Sequence, residues 1–216
     1  MSEHFDIVVI GTGPGGYIAA LKAAQMGASV AAVEKAQHLG GTCLNFGCIP
    51  SKALLASAEL LHRVAGAAEL GVRVEGKASV DWPVVQARKD KVLKTLRGGV
   101  GSLFAARKVK LFRGRAVLDG PGKVVVRGDG APVQLAAGKI ILAVGSTPSR
   151  IPGWPTDPAV VCTSDEALHW GALPGRLLIV GGGVIGCEFA CMMRAFGVEV
   201  TVVEMMSKLL PGMDVN

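Results

Sequence analysis

A chain of 216 residues, half of them hydrophobic and with 30 glycines, is long enough for one sizeable core or two smaller ones. No uncharged run approaches the roughly 20 apolar residues that span a bilayer, and residues 1–4 form no cationic leader, so a soluble, cytoplasmic protein is expected. The charge of +6 does not mark a nucleic-acid partner: the basic residues between Arg88 and Arg115 come without a nucleic-acid motif, and the early ones, opposite Val92, Leu93 and Leu96 at helical spacing, read as a solvated helix face.

Residues 5–10 are a β-branched run followed at once by "GTGPGG"; residues 17–26 have helical character, Gly27 breaks it, and residues 29–34 return to an extended pattern. This order predicts one βαβ unit. The chain then reads "GGTCLNFGCIPSK" over residues 40–52, with a helix predicted over 51–68 and a second over 83–106, interrupted at Gly98-Gly99. Short strands are expected at 109–112, 116–118, 123–127, 133–135 and 139–144, with turns at Gly120-Pro121-Gly122 and Gly128-Asp129-Gly130. "PSRIPGWPTDP", residues 148–158, is the expected linker.

The first unit then recurs. "LLIVGGGVIGCEFACMMRAFGVEVTVVE" aligns without a gap on "IVVIGTGPGGYIAALKAAQMGASVAAVE" at an offset of 170. Gly11, Gly13, Gly16, Gly27 and Glu34 fall on Gly181, Gly183, Gly186, Gly197 and Glu204. A lone GxGxxG is weak evidence, but each copy here has a strand before it, a helix after it and an acid ending the next strand. The first glycine permits the tight turn, the second a close approach to a pyrophosphate, and the third helix–sheet packing. The diphosphate would rest on N–H groups at the positive end of a helix dipole. Glu34 and Glu204 would each accept from a ribose hydroxyl, and a carboxylate at the second site repels a 2′-phosphate, favouring NAD. Two dinucleotide sites imply electron traffic, and FAD with NAD is the natural pairing. The expected class is α/β: two Rossmann-like dinucleotide-binding domains, with a β-meander inserted.

Five cysteines in such a chain are not a disulfide framework. Cys162, Cys187 and Cys191 read as small core residues, and no His or further Cys stands near to complete a metal site around Cys187 and Cys191. Cys43 and Cys48 are different. On an ideal helix, positions five apart are too distant for a disulfide, so they can join only if the first turn is distorted. A helix N-terminus favours a thiolate there, and Pro50 is tolerated because its missing N–H is unused. The arrangement suits a cycling disulfide better than a structural one or a pair of inert thiols.

"GGTCLNFGCIPSK", between two glycine fingerprints, closely resembles dihydrolipoyl dehydrogenases, within the pyridine nucleotide–disulfide oxidoreductases. The resemblance covers all 216 residues; mercuric reductases look similar at the cysteines, and glutathione reductase-like chains favour NADP. It implies that Cys43 is the interchange thiol, that Cys48 is the thiolate beside the flavin, and that Lys52 sits by the flavin ring. It further implies that Glu34, Lys35, Gly41, Thr42, Ala116, Gly145 and Ser146 line the FAD site with the first glycines, and that residues 181–188, including Glu188, meet NAD. The residues 143–146 read Ala-Val-Gly-Ser where relatives tend to have Ala-Thr-Gly-Ser, so a hydroxyl near the flavin is missing at Val144.

The implied organisation is an FAD-binding domain over 1–150 and the start of an NAD-binding domain over 151–216. Relatives are roughly twice as long. Their remaining half completes the NAD domain and adds a dimerisation domain with the His–Glu base, and none of His4, His38, His62 and His169 matches that motif. Lipoyl domains of 2-oxo acid dehydrogenase complexes are the implied partners, a homodimer the implied assembly of the full protein, and an inactive truncated FAD-binding module the alternative for this chain.

Overall fold

A computed structural model of the chain describes residues 3–155, 157 and 160–213. Met1 and Ser2, Thr156 and Pro158 of the expected linker, Ala159 and the last three residues lie outside the described residues. The chain divides into two compact units, Met1–Ile49 with Leu93–Ser149 and Pro50–Val92 with Arg150–Asn216.

The first unit is built on a six-stranded sheet. Strand β1 (Glu3–Ile10) leads through helix α1 (Pro14–Gln25) to β2 (Val30–Glu34), the βαβ unit expected from the sequence. β1 pairs in parallel with β2, Ile7 opposite Val30 and Ile10 opposite Val33. Strands β3 (Lys110–Arg113), β4 (Arg115–Leu118), β5 (Lys123–Arg127) and β6 (Val133–Leu142) complete the order β3-β2-β1-β6-β5-β4. β6 runs parallel to β1 on one side and antiparallel to β5 on the other, so the meander extends the parallel sheet directly.

Over residues 7–10 and 30–33 side chains alternate across that sheet with a period of two. Phe5, Val8, Ile10, Ala31 and Val33 join Phe112, Val124, Val126 and Leu135 in one cluster. Val9, Val30 and Ala32 join Ala20, Leu93, Val100 and Phe104 in another. With apolar partners on both faces, β2 is buried along its whole length. Fully burying each large side chain contributes about 1.5–3 kcal/mol.

Two expectations need correction here. Residues 133–142 form one strand rather than two, Gly138 included, because a Cβ there would meet the Asp6 carbonyl at 3.0 Å; the glycine allows a close approach, not a break. Helix α4 (Trp82–Ala106) also runs unbroken through Gly98-Gly99. Two helical glycines cost about 1 kcal/mol each. The apolar stripe of Leu93, Val100 and Phe104 in the core outweighs that cost.

The second unit gathers most of helix α3 (Cys48–Ala65), a 3₁₀ turn at Ala67–Leu70, the start of α4 and the short α5 (Ser164–Ala167). It also holds β7 (Arg176–Val180), α6 (Val184–Ala195) and β8 (Glu199–Val203). α3 begins at Cys48, three residues before the sequence-based start, with Pro50 accommodated in its first turn. Its core contains Leu54, Ala58, Trp82, Leu168, Phe189, Met192, Met193 and Phe196, with Trp82 edge-on to Phe196 at 5.4 Å.

Lys89 corrects the solvated-face reading of the basic helix, being 1% exposed. Its Nζ donates to the Leu168 carbonyl at 2.9 Å, beside Asp90 and His169. Trp82 Nε1 and Gln86 Nε2, on the same helix face, donate to the carbonyls of Trp170 and Leu168. Three donors at positions i, i+4 and i+7 thus pin one stretch of backbone. Cys191, expected in the core, is exposed. Among the described residues no helix is long and apolar enough to cross a membrane.

Candidate functional site

In the first unit the glycine turn begins where β1 ends. Gly11, at φ +97°, donates its N–H to the Val33 carbonyl at 2.8 Å. A Cβ at Gly11 would stand 2.1 Å from the Ala143 carbonyl oxygen, and one at Gly16 only 1.9 Å from the Gly11 carbonyl oxygen. Gly13 caps α1 without any side-chain bond. Thr12 is fully buried, and its N–H and hydroxyl both donate to Glu34 Oε2, at 3.0 and 2.6 Å. Glu34 Oε1 accepts from the Ala36 N–H at 2.9 Å. A carboxylate oxygen carries two acceptor positions, so Oε1 can take a hydroxyl beside that amide. Lys35 is exposed next to it, and Arg113 donates to the Ala36 carbonyl at 2.8 Å.

The cysteine-bearing turn is clasped to this glycine turn. The Gly40 N–H donates to the Thr12 carbonyl at 2.9 Å, and a Cβ on Gly41 would lie 2.4 Å from Gly13 Cα. From there α2 (Gly41–Phe46) carries half-buried Cys43, and exposed Cys48 opens α3. The distortion expected between them is at Gly47, whose φ of −143° and ψ of −116° leave the helical region. A side chain there would crowd the Thr42 carbonyl oxygen at 3.3 Å and touch Cys43 Cα at 3.5 Å. Buried Asn45 spans the turn, donating from Nδ2 to the carbonyls of Leu39 and Gly41 at 3.1 and 2.8 Å. Its Oδ1 accepts from Arg97 Nε at 2.6 Å.

Thr42, Gly145 and Ser146 are brought together: the Thr42 hydroxyl donates to the Ser146 carbonyl at 3.4 Å and lies 3.9 Å from where a Gly145 Cβ would be. Val144, in place of the expected threonine, is exposed. Ala116 sits apart from that group, half-buried on β4 against the Phe5 cluster.

The second unit repeats the glycine geometry. Gly181, at φ +108°, donates to the Val203 carbonyl at 2.8 Å; Gly183 caps α6 without a side-chain bond. A Cβ on Gly186 would lie 2.0 Å from the Gly181 carbonyl oxygen. Glu204 accepts from the Gly182 N–H at 2.6 Å and the Met206 N–H at 2.8 Å. These two bonds, Met206's the larger influence, hold its carboxyl below the ordinary glutamate range. Cys187 Sγ donates to the Gly182 carbonyl at 3.3 Å, and the Leu210 N–H reaches that same oxygen at 2.8 Å.

Glu188, in the second turn of α6, forms an ion pair with Lys52. Sequence reasoning singled out both residues without pairing them, since 136 positions separate them. It passed over Thr12, Asn45 and Arg97 as well. Of these, only Asn45, a polar residue between two cysteines in a glycine-rich turn, left a sequence signal.

The sequence profile of the pyridine nucleotide-disulphide oxidoreductases matches residues 5–216. The chain is 45% identical over 213 residues to dihydrolipoyl dehydrogenase of Chlamydia trachomatis, covering 97% of this chain and 45% of that one. It is 44% identical over 225 residues to dihydrolipoyl dehydrogenase of Bacillus subtilis, covering 100% of this chain and 47% of that one. Among solved structures, the Cu(II) complex of the HOCl-induced flavoprotein disulfide reductase RclA from Escherichia coli superposes with a TM-score of 0.83 at 31% identity. That match covers 99% of this chain and 45% of the solved one. The chain therefore spans just under half the length of these relatives. It belongs to the pyridine nucleotide-disulphide oxidoreductases, a family that uses FAD together with NAD(P).

Proposed function

We propose that the chain provides the FAD-binding and thiol-exchange machinery of an NAD-linked dihydrolipoyl dehydrogenase, which oxidises protein-bound dihydrolipoamide to lipoamide. The observation that carries the reading is the clasp: the turn bearing Cys43 and Cys48 is held against the glycine turn at the start of α1, through Gly40 and Gly41. That clasp fits a dinucleotide. Its backbones meet where Cβ atoms would fill the space, α1 starts without a side-chain cap, and Glu34 Oε1 can accept from a ribose hydroxyl.

In this reading Gly11, Gly13, Gly16, Glu34, Lys35, Gly41, Thr42, Ala116, Gly145 and Ser146 hold FAD within residues 1–150. Gly181, Gly183, Gly186, Glu188 and Glu204 begin the NAD site within residues 151–216. The Glu204 carboxylate repels a 2′-phosphate and so selects NAD. A thiolate of dihydrolipoamide attacks Cys43 Sγ of the Cys43–Cys48 disulfide, and Cys48 leaves as thiolate. The second lipoyl thiol then attacks the lipoyl sulfur of that mixed disulfide and expels Cys43, so two electrons reach the cysteine pair and lipoamide departs. A bound FAD would supply the two-electron relay between the cysteine pair and NAD+. Lys52, near the start of α3 and ion-paired with Glu188, is the cation that the resemblance assigns to a bound flavin.

Turnover is assigned to the whole cytoplasmic homodimer acting on lipoyl domains. None of His4, His38, His62 and His169 matches the His–Glu motif that the resemblance implies for the general base. The test replaces Cys43 and Cys48 singly by serine in the protein made from the whole coding sequence. NAD+ reduction by dihydrolipoamide should fall at least about a thousandfold in each variant. Retained activity would sink the reading, and faster turnover with mercuric ion or glutathione would reassign the substrate.

A further inference from the structure

Asn45 and Arg97 are not used by the chemistry just described, yet they meet at the cysteine turn. Helix α2 has six residues and a Gly40 N-cap without a side-chain bond, so it has little stability of its own. Asn45, 3% exposed, supplies what the helix lacks. Its amide ties Leu39 and Gly41 on either side of Gly40, the residue whose N–H reaches the first glycine turn. Arg97 reaches in from α4 and fixes the Asn45 orientation, because a guanidinium can only donate and so demands the Oδ1 face. The same guanidinium acts on its neighbourhood: burial first, then Arg97 and Arg113, hold His38 below its ordinary proton affinity.

We propose that Arg97 and Asn45 are a positioning pair that holds the Cys43–Cys48 turn in its disulfide-closing geometry and thereby sets its dithiol–disulfide equilibrium. The inference rests on the redox reading above. Positions five apart on an unbroken helix are too distant to join, so closure needs the break that Gly47 makes where α2 ends. Releasing the carbonyls of Leu39 and Gly41 lets α2 unwind and lowers the effective concentration of one sulfur at the other. The couple is balanced: the Cys43–Cys48 disulfide accepts two electrons and two protons from dithiothreitol, giving two thiols and the cyclic oxidised reagent.

The test equilibrates the full chain with graded ratios of reduced and oxidised dithiothreitol, then measures the Cys43–Cys48 disulfide by alkylation and mass spectrometry. Arg97→Met and Asn45→Ala should each shift the equilibrium about tenfold toward the dithiol, equivalent to about 30 mV. The double variant should shift no further than the larger single one, and Arg97→Lys should recover part of the loss. Amide exchange in β1 and β2 verifies that each variant is folded, and Arg97→Met, at a half-buried position, serves where Asn45→Ala does not fold. A wild-type chain whose two cysteines never close a disulfide overturns the redox reading and this inference together. A closing pair whose equilibrium stays within twofold in the Arg97→Met and Asn45→Ala variants overturns the positioning pair alone.

Discussion

The two glycine turns share one local geometry and live in different surroundings. Gly11 and Gly181 take nearly the same φ, donate to matching carbonyls at 2.8 Å, and lead into helices Pro14–Gln25 and Val184–Ala195 at the same offset. Around Gly11, however, the residue after β6 brings the Ala143 carbonyl to 2.1 Å from a would-be Cβ, whereas at Gly181 nothing among the described residues lies within 4 Å. β2 is buried throughout; in the second copy Leu178, Val180 and Val203 are exposed, with Leu178 at 61%. In their two-stranded sheet of β7 and β8, the half-buried Leu177, Ile179 and Val200 pack against the Trp82 cluster. The fingerprint dictates the turn; burial comes from strands the fingerprint does not encode.

The sharpest way to break this comparison is to add one methyl group to each turn. Gly11→Ala should cost at least about 4 kcal/mol, because its Cβ meets backbone that cannot yield. Gly181→Ala should cost about 1–3 kcal/mol, the strain of its backbone conformation alone. Urea unfolding combined with amide exchange in β1 and β7 separates the two, and equal costs would refute the contrast. Thr12→Val comes next. It removes a buried hydroxyl that donates to a carboxylate, a loss of about 1.5–3 kcal/mol that should largely vanish in a Glu34→Ala background, where the acceptor is gone. The second copy has glycine there and relies on the Gly182 amide.

The smallest effect is acidic. The folded pKa of Glu204 lies below its unfolded value near 4.5, so its stabilisation is present above that value and disappears as pH falls through the folded pKa. The segment after β8 should therefore hold at pH 5 and loosen only in stronger acid. A carboxyl titration followed by NMR checks it, and a Glu204 midpoint at or above 4.5 would contradict the backbone-bond account.

Much of this was legible in the sequence because the relevant signals are local. Strand, turn, helix and acid follow one another within a few dozen residues, and the repeat at 170 supplied its own control. The misreadings arose where distant packing decides. Gly98-Gly99 looks like a break until Leu93, Val100 and Phe104 are seen in one core. Lys89 looks solvated until Trp82 and Gln86 align with it on the carbonyls of residues 168–170. At the site, the cysteines and glycines announce themselves by type, while Lys52–Glu188 and Asn45–Arg97 join positions with no shared sequence signal.

The interleaved course of the chain bears on how the molecule can be dissected. Each unit takes two separate stretches, with α3 and the start of α4 inserted between the halves of the first and assigned to the second. Cleavage at the proline-rich stretch would not yield two autonomous pieces. The leading piece would carry Leu54, Ala58 and Trp82 stripped of their partners, and the trailing piece would lose the same side chains from beneath Phe189, Met192 and Met193. Limited proteolysis there should leave the two products associated, parting only on denaturation, and a circular permutation opened at the same place should be tolerated better than a deletion.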